Sequence, residues 1–208
     1  MLELNQLACR RGDRLLFRRL ALNLAPGGLL RVLGDNGVGK TSLLRMMAGL
    51  LPPTSGEILW QGQALAVQRD AFNACLLYLG HASATHERLD ALENLRFAAA
   101  ATGLAADEAA CRAALADVGL QRQIGLPCGA LSQGQRRRVA LARLALAGAR
   151  PLWLLDEPFA ALDVAAVEAL AQRIDAHCAG GGMVVFSSHQ EAPLRRPQQT
   201  LALEAFAA

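Results

Sequence analysis

Eight consecutive residues, Gly34 to Thr41 (GDNGVGKT), fit the spacing GxxxxGK[ST] of a phosphate-binding loop. Glycine at Gly34, Gly37 and Gly39 lets backbone N–H groups wrap a polyphosphate. Asp35, Asn36, Val38 and Ser42 complete the cradle into the first turn of the following helix. Lys40 supplies a compact cation for the β and γ phosphates, and the Thr41 hydroxyl supplies an oxygen for Mg²⁺. Of the 21 Lys and Arg residues, Lys40 is the sole lysine. A planar guanidinium is a poor substitute for an ammonium in a tight loop, so chemistry explains why lysine persists at that position.

A second constellation is PLWLLDEP, Pro151 to Pro158, an apolar run that ends in two acids. It reads as a buried strand delivering carboxylates to its carboxyl end. Asp156 would hold Mg²⁺ directly or through water, and Glu157 would polarise the water that attacks the γ-phosphate. A third is LSQGQ, Leu131 to Gln135, opening a helix. There Ser132, Gly134 and Gln135 bring a hydroxyl, backbone N–H groups and a helix dipole to a phosphate. The basic run Arg136 to Arg138 reads as a solvated helix face near phosphate rather than a nucleic-acid patch.

The elements that must position these residues alternate. Two N-terminal extended segments, LELNQLACRR and LLFRRLALNL, flank a turn at Gly12 and Asp13. Leu29 to Gly34 is a short buried strand, followed by the glycine loop and a helix LLRMMAGLL. GEILWQGQAL forms a hairpin arm and Asn73 to Gly80 a further buried strand. Asp90 to Val118 is alanine-rich helical sequence. After it come a helix RRRVALARLALAGA, the strand of the two acids, a helix VAAVEALAQRIDAHC and a strand MVVFSS. The pattern predicts an α/β fold, a mainly parallel sheet with an N-terminal antiparallel β part and an inserted helical subdomain, with ligand chemistry at the strands' carboxyl ends.

These motifs, in this order, resemble the ATP-binding cassette (ABC) ATPases, a P-loop family, along essentially the whole chain. The resemblance implies a single ABC ATP-binding domain over 1–208. Residues 1–85 and 148–208 would form its nucleotide-binding core, and 86–147 its helical subdomain and signature helix. It implies ATP hydrolysis with Mg²⁺ in a head-to-tail homodimer, where Ser132 and Gly134 meet nucleotide on the other protomer. Ala161 to Asp163 would be the loop that crosses the dimer, and His189 the switch histidine that reaches the γ-phosphate. LWQGQAL, Gly80–His81, LDALENLRF and the short C-terminal part are similar, more narrowly, to the ATP-binding subunits of haem exporters in cytochrome c maturation. That implies integral membrane partner subunits and a peripheral place on the cytoplasmic face of the inner membrane. Three positions depart from the family pattern. His81 aligns with the glutamine that contacts Mg²⁺ and water, with Ala82 after it. Arg11 aligns with the aromatic residue that stacks on adenine; a guanidinium plane can also stack on a purine, so Arg11 or nearby Phe17 is the expected contact.

Composition bounds these readings. A 208-residue chain with 53% apolar and 19% charged residues buries one sizeable core. No apolar run reaches the roughly 18 to 20 residues of a membrane-spanning helix, so direct membrane insertion is not expected, and no signal peptide is legible. A net charge of +3 is too mild to imply nucleic acid. Five scattered cysteines without a CxxC pair read as small buried apolar residues, and His86 and His177 as surface residues. The alternatives are another ABC transporter or, less well, a soluble ABC ATPase of DNA repair or translation. The short span from Lys40 to Ser132 leaves no room for a long coiled coil, and a single cassette lacks a tandem arrangement.

Overall fold

The computed structural model describes residues 1–104, 106–148, 150–189 and 191–207. Two sheets form the frame. In the first, β1 (Leu2–Arg11), β2 (Arg14–Leu24), β4 (Ser55–Trp60) and β5 (Gln63–Ala64) pair antiparallel in the order β2-β1-β4-β5. The second has the order β6-β7-β8-β3-β9 and is parallel throughout, built from β3 (Leu29–Leu33), β6 (Leu76–Leu79), β7 (Leu152–Leu155), β8 (Met183–Ser187) and β9 (Gln199–Ala202). Every residue of β7 and β8 is buried, as a parallel sheet covered on both faces demands. Because parallel strands point the same way, the ends of β3, β7 and β8 release the glycine loop, the two acids and His189 at one edge.

One core cluster joins the two sheets across α1 (Lys40–Met47), through Leu43, Leu44, Met46 and Met47. A second lies between the parallel sheet and α7 (Val164–Ala179), and a third fills the helical subdomain. That subdomain consists of α3 (Ala91–Ala101), α4 (Glu108–Asp117), α5 (Gln133–Leu141) and α6 (Arg143–Leu146). Asp90 caps α3 in a reciprocal box with Glu93, and Asp107 caps α4.

Several expectations are corrected. The strand expected from Asn73 begins only at Leu76, because α2 (Arg69–Cys75) occupies the preceding residues and buries Phe72. The single helix expected after LSQGQ is two, α5 and α6, meeting at Ala142. Ala105 and Ala149, both within expected helical stretches, lie outside the described residues. His177 is not a surface residue: its ring stacks on Trp153 with centroids 3.8 Å apart. The cysteines are free, and four of the five are buried. No helix among the described residues is long and apolar enough to cross a membrane.

Candidate functional site

The glycine loop leaves β3 and enters α1 with Gly34, Gly37 and Gly39 at φ 144°, 82° and 118°, backbone that side-chain-bearing residues rarely adopt. At Gly39 a Cβ would stand 3.3 Å from Leu16 and from the Phe17 ring, so the loop lies directly on the antiparallel sheet. This placement corrects one expectation: Phe17 is fully buried beneath the loop and has no face to offer adenine. Gly39 caps α1 without any side-chain hydrogen bond. The N–H groups of that first turn point out of the helix end, available to an anion.

Lys40 is 7% exposed. Its Nζ donates to the carbonyls of Gly34 (2.6 Å) and Asp35 (3.1 Å) and lies 2.9 Å from His189 Nε2. An ammonium has only donors, so Nε2 is the acceptor and the imidazole carries its proton on Nδ1. That tautomer has no proton to give Glu157 Oε1, 3.4 Å from the same nitrogen. Oε1 is buried and receives no hydrogen bond from the described residues. It is an open acceptor facing the cavity.

Asp156, 1% exposed, anchors the other wall. Its Oδ2 accepts from the Thr41 hydroxyl at 2.8 Å and its Oδ1 from the Ser187 hydroxyl at 2.7 Å, while Ser187 Oγ accepts from the Glu157 N–H at 2.9 Å. This chain of contacts runs from the first turn of α1 to the ends of β7 and β8. A hydroxyl and a carboxylate in contact make a hard-oxygen set suited to Mg²⁺, which typically keeps waters and takes phosphate oxygens alongside one or two protein ligands. Among the described residues no cluster of three or more His, Cys, Asp or Glu could hold a metal ion. A cavity of about 490 Å³ joins Asn36, Gly37, Lys40, Thr41, Asp156, Glu157 and His189, with His81 at its wall.

Other expected residues stand apart from that cavity. Arg11 is exposed at the β1–β2 turn and outside the lining. Ser132 caps α5 in a reciprocal box with Gln135 and is likewise outside. At Gly134 a Cβ would come within 2.5 Å of the Ala161 carbonyl, so the signature turn packs against the Ala161–Asp163 loop and glycine is required there. Arg138 forms an ion pair with Asp163 across the same contact.

Sequence reasoning missed three contributors. Glu204, in a short 3₁₀ turn after β9, accepts from the Asp35 N–H at 2.6 Å. Its own backbone N–H, then that of Asp35, lowers its pKa below the usual carboxylate range. Ser187 bridges both acids, as above. Arg137 is 4% exposed, which corrects the reading of Arg136 to Arg138 as one solvated face. Its guanidinium reaches four backbone carbonyls, those of Gly80, His81, Asp156 and Glu157. Burial lowers its pKa, with the charges of Asp156 and Glu157 opposing the shift.

Known proteins agree with this geometry. The family model described as ABC transporter matches residues 17–160. A cytochrome c biogenesis ATP-binding export protein, CcmA, of Aromatoleum aromaticum is 55% identical over 208 residues, 100% of this chain and 97% of that protein. The protein of the same name from Escherichia coli O157:H7 is 47% identical over 190 residues, 91% of this chain and 89% of its own. Among solved structures, an ABC transporter ATP-binding protein from Pyrococcus furiosus matches with a TM-score of 0.81 at 24% identity, covering 100% of this chain and 99% of that one. A dimeric bacterial ABC transporter cassette matches at 0.79 and 24%, covering 91% and 88%. At that identity the likeness concerns the fold. With the family model matched over residues 17–160 and relatives of 47% and 55% identity matched over nearly their whole length, the chain belongs to the ABC transporter family, among its cytochrome c biogenesis ATP-binding export proteins.

Proposed function

We propose that this chain is the ATP-hydrolysing subunit of a haem exporter in cytochrome c maturation, acting as a head-to-tail homodimer. It would be bound to integral membrane partners at the cytoplasmic face of the inner membrane. The observation that carries the ATPase reading is the hydrogen-bonded chain Thr41–Asp156–Ser187–Glu157 facing Lys40. The cytochrome c assignment rests on the names of the relatives.

The loop N–H groups and Lys40 hold the β and γ phosphates of ATP, with Lys40 Nζ turning from the loop carbonyls toward phosphate oxygens. Thr41 and Asp156 would hold Mg²⁺, which would neutralise charge on the phosphates. Glu157 Oε1, the open acceptor, takes a hydrogen bond from the water whose oxygen attacks the γ-phosphorus. A P–O bond to that water forms while its proton passes to Glu157 Oε1, the bond from the γ-phosphorus to the β-phosphate oxygen breaks, and ADP and phosphate leave. Once Lys40 turns to the phosphates, His189 Nε2 is released from it and, with the ring proton moved to that nitrogen, donates to a γ-phosphate oxygen.

Ser132, Gly134 and Gln135 lie outside their own chain's phosphate cavity, which supports their serving nucleotide bound to a second copy. His81 lines the cavity with nitrogen donors, weaker than oxygen for Mg²⁺, so its contact is assigned to the water side of that ion. Arg11 is assigned to the purine by stacking.

Glu157→Gln tests the reading. Hydrolysis should fall by roughly 10² to 10⁴ while MgATP still binds. Cells carrying the variant in place should lose c-type cytochromes and keep b-type haem proteins. Normal c-type haem staining beside abolished hydrolysis would refute the exporter assignment and leave the ATPase intact.

A further inference from the structure

Glu157 has φ 50°, left-handed backbone that a residue with a Cβ occupies only when its surroundings impose it. Two groups do so. Ser187 Oγ accepts from its N–H at 2.9 Å, and Arg137 Nη2 donates to its carbonyl at 2.9 Å. The same Nη2 donates to the Asp156 carbonyl at 2.7 Å, while Nη1 donates to the carbonyls of Gly80 (3.0 Å) and His81 (3.3 Å). A single buried fork therefore fastens the segment after β6 to the turn after β7.

A guanidinium at 4% exposure that bonds only backbone carbonyls is a costly cation, since desolvation disfavours its charge. Its planar geometry is what the site uses. Two nitrogens at fixed separation serve four carbonyls on two loops at once, more than the three N–H donors of an ammonium can. Arg137 also rides on α5, which starts at the Ser132 cap, so a shift of the signature turn moves the fork and, through it, Glu157.

We infer that Arg137 is a positioning residue for hydrolysis: with Ser187 it holds Glu157 in its left-handed conformation, and it ties the Gly80–His81 segment and the signature helix to the hydrolytic turn. This inference rests on the proposed role of Glu157.

Steady-state ATPase assays on the full chain, with binding of a fluorescent ATP analogue and Mg²⁺ measured in parallel, test it. Arg137→Lys keeps the charge and the aliphatic stem but loses the fork. Its kcat should fall by roughly 10-fold to 10²-fold, as expected of a displaced catalytic group, with KM and nucleotide affinity within about threefold of wild type. Ser187→Ala should also lower kcat, Ser187→Thr should restore it, and the loss in Arg137→Lys/Ser187→Ala should be smaller than the product of the single losses, since both act on one backbone. Wild-type kcat in Arg137→Lys, or a fall matched by an equal loss of nucleotide affinity, overturns the inference. If Arg137→Lys does not fold, unchanged kcat in Ser187→Ala overturns it instead. An active wild type beside kcat-neutral variants defeats this inference alone. A wild type without hydrolysis defeats the functional reading and this inference with it.

Discussion

Lys40 keeps its ammonium buried by donating to the carbonyls of its own loop, so the loop and its cation are organised together. Lys40→Ala should abolish measurable MgATP binding, by equilibrium dialysis, while the melting temperature stays within a few degrees, because the glycine backbone and the α1 packing remain. Lys40→Arg should bind poorly as well, since the fork exceeds the space between the two carbonyls and His189. Near-normal affinity in Lys40→Ala would count against the phosphate-loop assignment. At this scale the sequence was most legible where chemistry forces local spacing, as in GDNGVGKT and in the acids ending an apolar strand. Arg137 was illegible because three successive arginines look alike, and only the packing of α5 against the ends of β6 and β7 decides which one turns inward. Phe17 misled for the same reason, as proximity in sequence to the nucleotide said nothing of which face of β2 it occupied.

α7 rests on the parallel sheet through Leu170, Ala171, Ile174 and Cys178, and through the stack of His177 on Trp153. Burial lowers the His177 pKa from 6.5, with the Pro151 carbonyl pulling the other way. A depressed folded pKa means the unfolded chain takes up the proton first as pH falls. His177 therefore contributes stability that is intact above about pH 6.5 and lost as pH falls through its folded value. Melting temperatures measured from about pH 8 to about pH 5.5 should decline, and His177→Gln should melt lower at pH 8 yet lose less over the same range. An equal slope in both proteins would reject the account. Elements with strong periodicity, such as α7 and β7, were readable in advance. α2 was not, because seven residues between a hairpin and a strand carry less than two clear turns of pattern. β9 was not, because a four-residue strand with only Leu201 buried is fixed by its pairing with β3 rather than by composition.

The molecule as a whole presents two faces of one chemistry, the phosphate cavity and, apart from it, the capped start of α5 beside the Ala161–Asp163 loop. A second copy turned head to tail would bring each to the other. Light scattering of Glu157→Gln should show a monomer without nucleotide and a dimer with MgATP, and a monomer in both conditions at saturating nucleotide would argue against the sandwich. The parallel sheet carries a further consequence for how this protein comes into being. β3, which launches the phosphate loop, pairs on one side with β8 and on the other with β9, and the second loop residue, Asp35, is held by Glu204, 169 positions along the chain. On a ribosome, β3 emerges early and waits without either neighbour until the last quarter of the chain has followed. Contacts of such sequence separation form late and slowly. The nascent chain therefore lacks both neighbours of β3 and the Glu204 contact until then, so a loop ready for nucleotide belongs to the completed fold.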